Sequence, residues 1–134
     1  MRLTIGLFAL LALLPTSALA ANGRIFTCLF DARYTQFLAE KVVFTIDDVS
    51  GRILVNDARI KLYNSEPIEA ERFTDNSKKT AIGWRIDTRD KIKGPVSINY
   101  RLAYFSSNGK AKLSTQTYFS EIAGGTCIVK KGEF

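Results

Sequence analysis

The sequence predicts an all-β domain, a small antiparallel up-and-down β-barrel of about eight strands closed by one disulfide. Three observations predict it. Across residues 95–120, apolar and polar residues alternate on both sides of Asn108-Gly109, the two-residue period of a half-buried hairpin. Shorter alternating runs separated by polar turns fill most of the remaining chain, with no long helical pattern and no internal repeat. Two cysteines, Cys28 and Cys127, stand near opposite ends, and a bond between them lays the first and last strands side by side. A two-sheet β-sandwich is the alternative packing of the same strands.

Residues 1–20 read as a signal peptide: Arg2, the apolar run Gly6 to Leu14, and an ending in Ala18-Leu19-Ala20 that suits cleavage after Ala20. The run is too short to span a bilayer, for which about 20 apolar residues are needed. A single domain over residues 21–134 follows, periplasmic or secreted, in a compartment where a cysteine pair stays oxidised.

The first strand surrounds Cys28, over residues 24–30, and residues 40–47 alternate through Val42, Phe44 and Ile46. Between them Tyr34, Phe37 and Leu38 have helical spacing, which suggests one or two turns of helix. Asp48-Val49-Ser50-Gly51 is a turn, with Arg52 to Val55 returning, and residues 59–63 read as a further strand carrying Ile60 and Leu62. Residues 68–74 and 80–87 form a hairpin about the polar turn at 75–79, with Ile82, Trp84 and Ile86 on one face. In the last hairpin, Val96, Ile98, Tyr100, Leu102 and Tyr104 face Ala111, Leu113 and Phe119. A two-residue type I′ turn at Asn108-Gly109 sets Tyr104 opposite Leu113 and Ile98 opposite Phe119. Gly124-Gly125 suggests a bulge or bend, Ile128 and Val129 a short closing strand, and residues 130–134 a frayed end.

The chain holds no histidine, the commonest general base and metal ligand, and no motif for a nucleophile, a phosphate loop or a metal, so no catalytic residue, cofactor or metal is assigned. Ser107-Asn108-Gly109-Lys110 has the Ser-x-x-Lys spacing of serine acyl enzymes but falls on a hairpin tip. Carboxylates gather near Pro67 (Glu66, Glu69, Glu71) and at strand ends (Asp47, Asp48, Asp87, Asp90), where two could serve a hydrolase if they converge.

Nineteen Lys and Arg against 13 Asp and Glu give a net charge of +6, which favours anionic partners. Basic pairs recur at turns, Lys78-Lys79, Lys91 with Lys93, Lys110 with Lys112 and Lys130-Lys131, and form a positive rim where they share one barrel end. The inward aromatics (Phe26, Phe44, Trp84, Tyr100, Tyr104, Phe119) predict a filled interior. Outward on the last hairpin, Arg101, Phe105 and Tyr118 form the candidate binding patch. Nucleic acid is not an expected partner in this compartment.

An aromatic-x-Cys near the start (Phe26-Thr27-Cys28) and a late Cys127 in a small exported β-domain resemble the layout of the small periplasmic inhibitors of C-type lysozymes. That family carries Ser-Gly-x-x-Tyr and then a tryptophan-containing stretch. Here Ser50-Gly51 leads to Leu54, and Trp84 stands in Ile82-Gly83-Trp84-Arg85, so no inhibitory residue is carried over. The resemblance implies a class of function only. The expectation is a non-enzymatic module that binds a macromolecule, an envelope protein or an anionic glycan. A lipocalin-like carrier of a small apolar ligand is the alternative, and a carboxylate-based hydrolase ranks third.

Overall fold

The computed structural model describes residues 22–90, 92, 94–116 and 120–132. The predicted leader, Lys91, Lys93, Tyr118, Phe119 and the last two residues lie outside them, as does the side chain of Asp90. Nine antiparallel strands form one sheet that nearly closes into a barrel: β1 Gly23–Phe30, β2 Lys41–Asp47, β3 Ile53–Asp57, β4 Ile68–Glu69, β5 Glu71–Asp75, β6 Lys79–Asp90, β7 Gly94–Phe105, β8 Lys110–Gln116 and β9 Glu121–Gly132. One helix, α1 Ala58–Asn64, interrupts them.

The strand order β4-β3-β2-β1-β9-β8-β7-β6-β5 makes the two edge strands neighbours in sequence, separated only by Ala70. Ala70 donates its N–H to the Ile53 carbonyl at 2.9 Å, after which the chain leaves β3 and pairs with β6. One short segment therefore seals the seam, with β3 on one side and β6 on the other.

The even-numbered positions of β1, β2, β6 and β7 and the odd-numbered positions of β3, β8 and β9 point inward, as two-residue alternation requires. Phe26 stacks on Phe44 with ring centroids 4.2 Å apart, and Tyr104 meets Phe26 edge-on at 5.6 Å. Lower in the barrel, Trp84 stacks on Tyr100 at 5.4 Å, and the Tyr100 hydroxyl donates to the Phe37 carbonyl at 2.8 Å. Val42, Val55, Ile82, Leu102 and Leu113 are fully buried around these rings. Cys28 and Cys127 pair directly across β1 and β9 and form the disulfide.

Several local expectations are corrected. Residues 59–63 belong to α1, because Asp57 caps it by accepting the Ile60 N–H at 2.8 Å while Ser65 ends it in a left-handed conformation (φ 58°). The loop before β2 holds turns instead of helix, since the Gln36 and Phe37 amides donate to the Glu121 carboxylate at 2.6 and 2.7 Å. The β7 to β8 connection spans four residues, Ser106 to Gly109, with Gly109 at φ 73° and its N–H bonded to the Phe105 carbonyl. Tyr104 consequently faces Ala111, and Leu102 faces Leu113. The slip amounts to two residues, so both apolar stripes keep their face.

Gly124 and Gly125 make no bulge: they pair regularly with β8, and Gly125 also pairs with Phe30. A Cβ on Gly125 would stand 1.9 Å from the Leu29 carbonyl oxygen, so only glycine allows β1 this close. Residues 130–132 do not fray, because they extend β9 and pair with residues 23–25 of β1.

Candidate binding surface

The described turns divide into two ends. The upper rim holds residues 48–52, 76–78 and 106–109, and the lower end holds the loop 31–40, α1 and the paired ends of β6 and β7. Lys78, Lys79, Lys110, Lys130 and Lys131 gather toward the upper rim, while Lys91 and Lys93 lie outside the described residues.

Inside the upper rim, the Arg24 guanidinium holds two carboxylates. Asp75 accepts at 2.9 and 3.1 Å and Asp48 at 2.8 and 3.2 Å, while the cation lies 5.8 Å from the Phe26 ring centre. A β-bulge makes this possible. Arg72 pairs with Ile82 but Thr74 with Ala81, so the extra residue, Phe73, shifts the alternation and turns Asp75 toward the interior beside Thr80. Hydrogen bonding to Arg24 holds the Asp75 carboxyl below its ordinary range, and the Asp75 bond likewise raises the already high pKa of Arg24. The convergent pair of acids thus serves a cation.

Asp57, the buried acid among the described residues, lies at the opposite end of the barrel, where burial pushes its carboxyl up. It lines a groove of about 890 Å³ together with Asn56, Lys41, Arg59 and Leu62. Asn56 Oδ1 and Asp57 Oδ2 are buried and have no hydrogen-bond partner among the described residues. Burial also raises the Tyr100 phenol, with the Asp57 charge adding to the effect. Asp57 and Asp75 therefore differ in the way an acid and a base should, yet strand direction puts them at opposite ends. Among the described residues no group of three His, Cys, Asp or Glu could hold a metal, and no helix is long and apolar enough to cross a membrane.

The bulge has a second effect on the outer face. The Phe73 ring lies over Gly83, where a Cβ would come within 2.3 Å of it. Arg101, paired with Gly83 across β6 and β7, places its guanidinium 4.7 Å from the centre of that ring. Four pairs further up the ladder, on the same face, Lys79 stands 5.6 Å from the ring of its partner Phe105, which is 36% exposed. Ala81 and Ala103 separate the two cation-aromatic units, leaving a shallow floor. Beside them a groove of about 470 Å³ is lined by Glu71, Phe73, Arg85, Asn99 and Gln116. Arg85 is tied to Asp87 at 2.9 Å, whereas Arg101 makes no ion pair among the described residues.

Two of the residues expected in the binding patch, Arg101 and Phe105, thus occupy the outer face of β7, with Asn99 and Gln116 exposed nearby. Tyr118 belongs to the segment outside the described residues. Phe73 and Lys79 escaped the sequence reading as partners of these residues; the one available signal was Gly83, a glycine within a strand, which marks a close approach. Compared with protein-family models, with curated proteins and with solved structures, the chain matches none.

Proposed function

We propose that this is an exported, non-enzymatic module that binds a macromolecule of the cell envelope, an acidic protein or an anionic glycan, through the outer face of β5, β6 and β7. The observation that carries the reading is Arg101, exposed and set over the Phe73 ring, with no carboxylate paired to it among the described residues. Arginine is enriched among the residues that carry binding energy at interfaces, and its guanidinium stacks on aromatic faces. The filled interior supports the same choice over a carrier, since stacked rings occupy the space an apolar ligand would take. The opposed placement of Asp57 and Asp75 likewise disfavours a hydrolase.

The test is capture from envelope extract by the oxidised domain, followed by titration of the identified partner against wild type, Arg101→Ala, Phe105→Ala and the Arg101→Ala/Tyr118→Ala pair. We expect a saturable partner and at least a tenfold loss for Arg101→Ala with the circular dichroism spectrum intact. A partner that binds the variants as tightly as wild type would remove this face from consideration.

A further inference from the structure

Beyond that reading, we infer that the neighbouring wall, formed by β8, β9 and β1, is a docking face for an anionic lipid surface. Two properties of the wall coincide. No outward position of β8, of β1, or of β9 between Ile122 and Lys130 carries a carboxylate. The outward carboxylates of the sheet, Asp47, Glu69, Glu71 and Asp87, all belong to β2, β4, β5 and β6. Among the described strand residues, the outward lysines of β8 and β9 therefore share their face with no carboxylate.

The same wall exposes three large aliphatic side chains, Leu29 at 57%, Ile122 at 64% and Ile128 at 67%. Each has a lysine as a ladder neighbour. Leu29 faces Lys41 directly across β1 and β2. Ile128 lies diagonal to Lys110, whose partner is Thr126, and shares a face with Lys130. Ile122 lies diagonal to Lys112, whose partner is Gly124. Gly124 and Thr126 leave the ground between the aliphatics low, and a Cβ on Gly124 would meet nothing within 4 Å.

Aliphatic tips interspersed with lysines suit a bilayer interface. The tips enter the acyl boundary while the lysine stems lie along the apolar surface and keep their ammonium groups among anionic headgroups. A glycan chain would be better served by flat rings, which this wall lacks. An acidic protein would have to cover the aliphatics with a complementary apolar patch.

The experiment is co-sedimentation of the oxidised protein with vesicles of phosphatidylcholine alone or mixed equally with phosphatidylglycerol, in low and high salt, beside polyglutamate as a soluble anion. Variants are Lys110→Glu/Lys112→Glu and Leu29→Ser/Ile128→Ser, each checked for native circular dichroism and an intact disulfide. The expected result is binding to mixed vesicles only, weakened by salt, and at least tenfold weaker in both variants. Binding to polyglutamate should be much weaker than to vesicles and unaffected by Leu29→Ser/Ile128→Ser. Absence of wild-type binding to mixed vesicles would overturn the inference. So would mixed-vesicle binding that Leu29→Ser/Ile128→Ser leaves unchanged, since that reports charge alone and points to an acidic polymer or protein. No partner protein enters this assay, so vesicle binding and partner binding through Arg101 can fail independently.

Discussion

Replacing Arg24 by Met should destabilise the barrel by an amount that depends on pH. Arg24 keeps 23% of its side chain exposed, and its main partner Asp75 keeps 12%. Breaking a fully buried pair costs about 3–5 kcal/mol, whereas an exposed pair contributes less than about 1 kcal/mol. Asp75 would retain Arg72 at 3.6 Å and the Thr80 hydroxyl at 3.2 Å. A loss of about 2–3 kcal/mol at neutral pH is therefore expected, with Met preserving the packing over Phe26.

The Asp75 carboxyl titrates lower in the folded protein than in the unfolded chain, because it is bonded to Arg24. The stability it contributes is present above the unfolded value, about 3.9, and is lost as pH falls through the depressed folded value. The gap between wild type and Arg24→Met should accordingly be full at pH 7 and shrink in acid. Urea unfolding at both pH values, with Asp75→Asn and the double variant completing the cycle, measures it. If Arg24→Met costs as much below pH 3 as at pH 7, charge pairing is not what Arg24 supplies and the reasoning fails.

Gly125→Ala must drive a Cβ into the Leu29 carbonyl at 1.9 Å and should cost more than about 3 kcal/mol or prevent folding, while Gly124→Ala, which meets open space, should be neutral within about 0.5 kcal/mol; thermal unfolding of the pair decides it. Reduction of Cys28–Cys127 frees a 99-residue separation and should lower stability by up to about 4.7 kcal/mol in the chain-entropy treatment, read from urea midpoints with and without reductant. Asp57→Asn keeps a capping side chain but removes a carboxyl whose folded value is raised, so it should abolish a loss of stability as pH rises from about 4, and Asp57→Ala should abolish the same slope while lying about 1 kcal/mol below Asp57→Asn at any pH for want of the cap. An unchanged pH slope in Asp57→Asn would show that the carboxyl is not desolvated.

The hairpins from β6 to β8 were legible because their residues alternate without interruption, and alternation is a property of the local chain. Residues 58–64 misled for the same reason. Ile60 and Leu62 also alternate, and the helix is decided by the Asp57 cap and by the opening between the lower ends of β3 and β6 that α1 contacts. The loop before β2 shows the opposite failure. Its apolar spacing suits a helix, but Glu121, 84 and 85 residues away, takes the amides a helix would need. The binding face was half legible. Arg101 and Phe105 follow from strand parity, while Phe73 depends on a bulge between Arg72 and Thr74 that no spacing announces. The same single-residue insertion carries Asp75 inward, so the rim cluster and the outer aromatic shelf share one cause that only the folded register reveals.

The pairing of β1 with β9 also fixes how the molecule would bear force. Gly23 faces Gly132 and Cys28 faces Cys127, so a pull on the two ends peels the strands apart one rung at a time from the upper rim. Peeling can proceed only as far as the disulfide. Tension then passes from one strand to the other through the sulfur bridge, and every residue between the cysteines, the outer shelf and the lysines of β8 included, lies off the load path. In the reduced protein the same pull would continue down the ladder and unravel the barrel from its terminal strands inward.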